Sequence, residues 1–264
     1  MRVTRNRGHN EGTVMRIAVI GGGGLIGYKL VNNLREEGHQ VVAASPRSGV
    51  NTLTGEGLAE AVDGASVAVD LTKAPFREDA AVTEFFIRST RNLLSYEADA
   101  GVGHHVVLSV VGPERLVQSD YFRAKIAQED MIKASSIPYS IVRATQIYEF
   151  VQDLADFSTD SGKVHLPSVF IQPIASDDVA STLGRVAVSA PLNGAIEVGG
   201  PDQFRLDELV RLGLSAAKDS REVLADPHAR YYGIDVEERS LVPDDDARLG
   251  AIRFENWLAQ SNLR

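Results

Sequence analysis

Four consecutive glycines directly after a short apolar run constrain this chain more than any other feature. Residues 16–20 (RIAVI) read as a buried strand, and Gly21-Gly22-Gly23-Gly24-Leu25-Ile26-Gly27 follows without a break. The glycines at 21, 24 and 27 form G-x-x-G-x-x-G. A tight turn, a backbone without Cβ beside a ligand, and close helix–strand packing each ask for glycine. From Leu25 the apolar spacing turns helical at Leu25, Leu30, Val31 and Leu34. The start of such a helix offers free N–H groups and a positive dipole end to phosphate. Strand, glycine loop, helix and strand in this order predict a dinucleotide site, with Gly21, Gly24, Leu25, Ile26 and Gly27 at the pyrophosphate.

The alternation continues down the chain. Strands are expected over 40–45, 66–71, 105–109 and 140–143, with helices over 57–62, 79–100 and 121–134 between them. Such alternation implies right-handed crossovers and a parallel sheet covered on both faces. After Arg143 the pattern loosens. Short extended pieces fall within 164–174, a helix over 177–189, a strand over 195–198, and helices over 206–217 and 254–260. The expectation is an α/β chain, a Rossmann-like doubly wound parallel sheet with a small C-terminal substrate lobe. Residues 15–145 form the nucleotide-binding part, and 146–264 the lobe, partly returning to the sheet. Residues 1–14 hold Arg2, Arg5 and Arg7 and almost nothing apolar, and read as a disordered arm.

Composition narrows the function. The chain has 264 residues, of which 44% are hydrophobic and 24% charged, as in ordinary globular proteins. Cysteine is absent, so thiol chemistry and disulfides are out. The net charge of -9 argues against a general nucleic-acid partner. No apolar run reaches the ~18 residues of a spanning helix, so no membrane partner is expected, and a cytoplasmic location is.

Where the second strand ends, an NAD-selective site places Asp or Glu on the ribose 2′-hydroxyl. This chain has Ser45, Arg47 and Ser48 there, all able to donate to a 2′-phosphate. NADP(H) is therefore expected over NAD(H), which stays the alternative. Further on, Tyr121 and Lys125 are four residues apart on one expected helix face. A nearby ammonium lowers a phenol's pKa, and such a tyrosine can pass a proton to or from a substrate oxygen. Ser109 ends the preceding strand, at the edge where open α/β sheets bind ligands, and its hydroxyl could hold the same oxygen.

With these motifs in place, the chain resembles the short-chain dehydrogenases/reductases, in their atypical, NmrA-like branch. The resemblance rests on RIAVIGGGGLIG, TRNLLSYEADAGVGHHVVLSVVG, YFRAKIAQEDMIKASSIPYSIVRATQIYEF, IQPIASDDVAS and IEVGGPDQFRLDEL, and spans about residues 15–260. It implies an NAD(P) cofactor and a Ser-Tyr-Lys group at Ser109, Tyr121 and Lys125. Lys125 would also serve the cofactor ribose. It further implies backbone at Ala144-Thr145-Gln146 against the nicotinamide carboxamide, Leu71-Thr72 under the cofactor, and a match of Asn92 to a relay asparagine. Two features depart from the pattern. The Gly-Asp near the adenine is missing, and Asp70-Leu71-Thr72-Lys73 replaces the Asn-Asn-Ala-Gly of the larger family.

The functions that follow are carbonyl reduction or alcohol oxidation on a small molecule, a nucleotide-sugar epimerase- or dehydratase-like reaction, or non-catalytic sensing of NADP(H). The oligomeric state stays open. No metal is expected. His104 and His105 would point to opposite faces of a strand, and Asp244-Asp245-Asp246 lacks the glycine and distant glutamate of a calcium loop. Asp177-Asp178 is expected to cap the following helix, and Trp257 to pack. His228, Tyr231 and Tyr232 are candidates for lining a substrate pocket.

Overall fold

The computed structural model describes residues 13–74 and 80–261. Most of the N-terminal arm, and Asp79 at the expected start of the long helix, lie outside the described residues.

A seven-stranded, fully parallel sheet runs in the order β12-β9-β5-β4-β3-β1-β2. Its strands are β1 (Arg16–Ile20), β2 (Gln40–Ala44), β3 (Val67–Asp70), β4 (His104–Val110), β5 (Tyr139–Ala144), β9 (Gly194–Gly199) and β12 (Arg248–Leu249). The helices are α1 (Leu25–Glu36), α2 (Leu58–Val62), α3 (Ala80–Ala100), α4 (Asp120–Lys133), α5 (Val151–Phe157), α6 (Ser176–Ala187), α7 (Leu206–Ala216) and α8 (Phe254–Gln260).

Alternation along each strand explains the two covered faces. Ile17 and Val19 of β1 pack with Leu30, Val31 and Leu34 of α1 and Leu183 of α6. Ala18 and Ile20 point the other way, into a core with Leu58 and Val62 of α2 and Leu93 of α3. Each fully buried aliphatic side chain contributes about 1.5–3 kcal/mol, so a strand apolar on both faces is stable only between two helix layers. Helices α1 and α6 pack at Gly184, where a Cβ would make ordinary contact with Leu30 and Leu34 at 3.6 and 3.8 Å. The chain runs from β1 outward to β2, then crosses to β3 on the other side. The crevice between the carboxyl ends of β1 and β3 is thus the sheet's switch point, where open α/β sheets bind ligands.

A second core holds the C-terminal part. Tyr148, Leu154 and Phe254 are buried there, with Trp257 stacked on Phe254 at 5.8 Å. Around it lie β7 (Lys163–Leu166), between β6 (Thr159–Asp160) and β11 (Glu222–Ala225), and a β8–β10 pair (Phe170–Ile171 with Phe204–Arg205). Helix α5 and strands β6, β10, β11 and β12 carry no periodic signal long enough to read from sequence. Asp177 and Asp178 do not cap α6. Ala175 is its N-cap, and the two acids lie in the first turn, where the dipole favours them. Asp177 pairs with Lys29, and Asp178 accepts from the Ile252 N–H at 2.9 Å. No helix among the described residues is long and apolar enough to cross a membrane.

Candidate functional site

The glycine loop closes β1 onto α1. Gly21 has φ +86, which glycine adopts without penalty. The N–H groups of Gly21 and Gly22 both donate to Ala44 O, at 2.8 and 3.0 Å, and Gly24 N donates to Gly21 O at 2.9 Å. A Cβ on Gly27 would sit 2.2 Å from Gly21 O, and one on Gly21 would sit 2.7 Å from Leu71 O. Glycine at 21 and 27 is thus a packing requirement. Gly24 differs: it is the N-cap of α1, and its Cβ would meet only Gly21 O, at 3.3 Å. No side chain caps α1 and its first turn has no acid, so the positive helix end faces the crevice beside Gly24, Leu25 and Ile26.

At the end of β2, residues 46–48 form a single 3-10 turn. The Ser48 hydroxyl is committed to that turn, accepting from Ser45 N and donating to Ser45 O, both at 2.9 Å. Ser45 Oγ lies 3.3 Å from the Cβ position of Gly23, against the glycine loop. Arg47 is exposed and has no hydrogen-bond or salt-bridge partner among the described residues.

The ends of β3 and β5 form the opposite wall. Three buried atoms there have no hydrogen-bond partner among the described residues: Thr72 Oγ1, Thr145 Oγ1 and Gln146 Nε2. An unsatisfied buried polar atom costs about 1–3 kcal/mol, and a polar ligand at the carboxyl edge of the sheet would satisfy these three. The backbone around them is held. Leu71 N donates to Ile20 O at 2.8 Å, Val111 N to Ala144 O at 3.0 Å, and Thr145 N to Val198 O at 3.0 Å. An electropositive glycine loop at one end and orphaned hydroxyl and amide groups at the other fit an elongated ligand with an anionic middle and a hydrogen-bonding head.

Tyr121 lies in the first turn of α4, where the N-cap Ser119 accepts its N–H at 3.2 Å. Its half-buried ring meets Phe86 of α3 edge-on at 6.2 Å. Lys125, one turn later, puts Nζ 4.8 Å from the same Phe86 ring. The structure therefore does bring Tyr121 and Lys125 to one face. Lys125 is only 3% exposed. Its ammonium donates to Leu108 O at 2.9 Å and to Gln128 Oε1. Burial pushes its pKa down to about 8, against the upward pull of the Asp70 and Glu129 carboxylates.

Ser109 is also bonded to α4. Its hydroxyl donates to Glu129 Oε1 at 2.7 Å. Arg143 of β5 grips the same carboxylate through Nε at 2.9 Å and Nη2 at 2.6 Å, and also donates to Glu114 Oε1 at 2.6 Å. Burial pushes the Glu129 carboxyl upward, but the Arg143 and Ser109 hydrogen bonds outweigh it and hold it below its ordinary range. Ser109 thus ties β4 to α4 at a residue one helical turn beyond Lys125.

Asn92 donates to Thr52 O and Leu53 O at 2.9 and 3.0 Å, pinning the loop between β2 and α2. Tyr231 is buried, and its hydroxyl donates to Gln146 Oε1 at 3.1 Å, linking the C-terminal part to the end of β5. Tyr232 packs on Phe157 at 4.9 Å, and His228 donates its backbone N–H to Asp226 at 2.8 Å. His104 bonds Ser140 Oγ at 2.8 Å, while His105 bonds Glu97 at 2.8 Å. No three potential metal ligands come together among the described residues.

Sequence reasoning missed Asp70, Phe86, Gln128, Glu129, Arg143 and the Tyr231–Gln146 link. Only Asp70 carries a local signal: a carboxylate closing an otherwise apolar buried strand, VAVD.

No known family's sequence profile matches the chain, and no curated protein matches it. Its fold is shared with solved structures. The dTDP-4-dehydrorhamnose reductase of Bacillus anthracis, in complex with NADP, has a TM-score of 0.68 at 15% identity, over 94% of this chain and 97% of that one. The Bordetella bronchiseptica enzyme WbmG, in complex with NAD and UDP, gives 0.67 at 13% identity, over 94% and 93%. A GDP-6-OMe-4-keto-L-xylo-heptose reductase from C. jejuni gives 0.67 at 14% identity, over 93% and 95%. At these identities the likeness is one of fold.

Proposed function

We propose that this chain is an NADP(H)-dependent oxidoreductase of the short-chain dehydrogenase/reductase type, related to the NmrA-like branch, that reduces a carbonyl or oxidises an alcohol on a small molecule. One observation carries the reading. The uncapped, electropositive glycine loop and the orphaned Thr72, Thr145 and Gln146 groups lie at the same sheet edge as Tyr121 and Lys125. The loop would take the diphosphate, Ser45 and Arg47 the 2′-phosphate, and Leu71, Thr72, Ala144 and Thr145 the nicotinamide end. When bound, the cofactor supplies or accepts a hydride. Tyr121 would hold the proton exchanged with the substrate oxygen, and the Lys125 cation would favour its phenolate. Serving the ribose would require the Lys125 ammonium to give up Gln128 or Leu108. Two of the similar structures are reductases of nucleotide-linked sugars and WbmG is seen with UDP, so a 4-keto sugar linked to a nucleoside diphosphate is the first carbonyl to offer.

A second reading, a sensor that binds NADP(H) without turnover, is favoured by the Ser109 hydroxyl being spent on Glu129. The experiment that separates them is NADPH oxidation across a carbonyl panel that includes nucleoside-diphosphate 4-keto sugars, run with native protein and Tyr121→Phe. The enzyme reading expects turnover that falls on the order of 10²–10⁴-fold in the variant, with NADPH affinity kept. Equal rates would remove Tyr121 from the chemistry, and no turnover with tight NADPH binding would favour the sensor.

A further inference from the structure

Lys125 stands at one end of a buried polar chain that begins beside Thr72, at the end of β3. Asp70, 2% exposed, closes β3. Its Oδ1 accepts the Thr72 N–H at 2.8 Å, and its Oδ2 accepts from Gln128 Nε2 at 3.0 Å. A carboxylate only accepts, so it selects the NH₂ side of the Gln128 amide. Gln128 Oε1 is thereby turned to Lys125, whose Nζ donates to it. Leu108 O takes a second ammonium proton at 2.9 Å, and the Phe86 ring covers the cation at 4.8 Å. Gln128 is 1% exposed. With Asp70 removed, the amide could rotate and present a donor to the ammonium, and a buried cation would lose a nearby countercharge.

The charged and titratable groups around Lys125 come from several elements. Asp70 is on β3. Glu129 and Tyr121 are on α4 itself, with Glu129 held by Arg143 of β5 and by Lys133 at 3.3 Å. The Glu97–His105 pair of α3 and β4 also feels the Asp70 charge. Of these, Asp70 reaches Lys125 through a single amide.

We infer that Asp70 and Gln128 are positioning residues, which hold the Lys125 ammonium as a cation on the Tyr121 face and tie its place to Thr72 at the end of β3. This deepens the acid–base role proposed for Lys125, and its test does not need turnover. The full chain is labelled with ¹³Cε-lysine and titrated by NMR, the Lys125 signal being the one lost in Lys125→Arg. The native signal should titrate near pH 8. Asp70→Asn, which keeps the shape and removes the charge, should lower that midpoint by about one pH unit. Gln128→Met, which keeps the bulk and removes the amide between Asp70 and the ammonium, should lower it in the same direction. Should Asp70→Asn fail to fold, the Gln128→Met shift decides. Midpoints within about 0.3 units of native in folded variants would overturn the inference, since a purely structural role changes the melting temperature and leaves the titration alone. NADPH affinity is measured on the same samples by calorimetry. A native protein that binds no NADPH defeats the cofactor reading, while the NMR shifts still decide the role of Asp70 and Gln128.

Discussion

Replacing Gly27 by alanine adds one methyl group, and the structure states where it would go. The new Cβ would lie 2.2 Å from Gly21 O, 2.8 Å from Gly22 Cα and 2.9 Å from Gly21 C. All three are backbone atoms of a loop tied to β2 by two hydrogen bonds from Gly21 and Gly22 to Ala44 O. Normal contact requires the loop and α1 to part by about 1 Å, and overpacking of this kind costs about 1–3 kcal/mol. Displacing Gly21 O also weakens the bond it accepts from Gly24 N, worth about 1 kcal/mol. Against this, alanine in a helix gains about 1 kcal/mol over glycine. The net expectation is a loss of about 1–3 kcal/mol, with a melting-temperature fall of about 2–4 °C for each kcal/mol in a chain of this size. Gly24→Ala is the matched control. Its Cβ meets one atom, at 3.3 Å, so the fold should melt within about 2 °C of native. Thermal unfolding followed by circular dichroism gives the stability, and calorimetric titration with NADPH gives the affinity. Gly27→Ala should lose both, whereas Gly24→Val should stay folded and lose mainly affinity. A Gly27→Ala protein with native melting and native affinity would refute the close-packing argument.

Other expectations follow from the same geometry. Arg47→Ala should weaken NADPH binding by about 1.5–3 kcal/mol and leave NADH nearly unchanged, by titration of both cofactors; equal native affinities would sink NADP selectivity. Arg143→Met leaves the Glu129 carboxylate, whose side chain is 1% exposed, with only Ser109 and Lys133 among the described residues, and should cost up to about 3 kcal/mol in urea unfolding. The double variant with Glu129→Gln should recover part of that loss, and strict additivity would deny the coupling. Because Glu129 is held below its ordinary 4.5, its contribution to stability is complete above that pH and lost as the pH falls through the lower folded value. Glu129→Gln should therefore flatten the decline of stability below pH 4.5, and an unchanged acid limb would assign that decline to other carboxylates.

Where local chemistry decides, the sequence was legible. β1, the glycine loop and α1 fall at residues 16–20, 21–24 and 25–36 because an apolar run, consecutive glycines and a 3.6-residue period are each readable within a few positions. Tyr121 and Lys125 share a face for the same reason, since four residues are about one helical turn. What tertiary structure alone decided is where those groups point. The Ser109 hydroxyl goes to Glu129, twenty residues on, and Asp70 is joined to Gln128 across 58 residues of sequence. Nothing near Asp70 in the chain specifies that partner. A buried carboxylate must find a donor, and only the packing of α4 against α3 and the sheet determines which donor is within reach. The edge strand β12 is of the same kind: two residues, Arg248 and Leu249, become a strand because β9 leaves an unpaired edge beside them, not through any preference of their own.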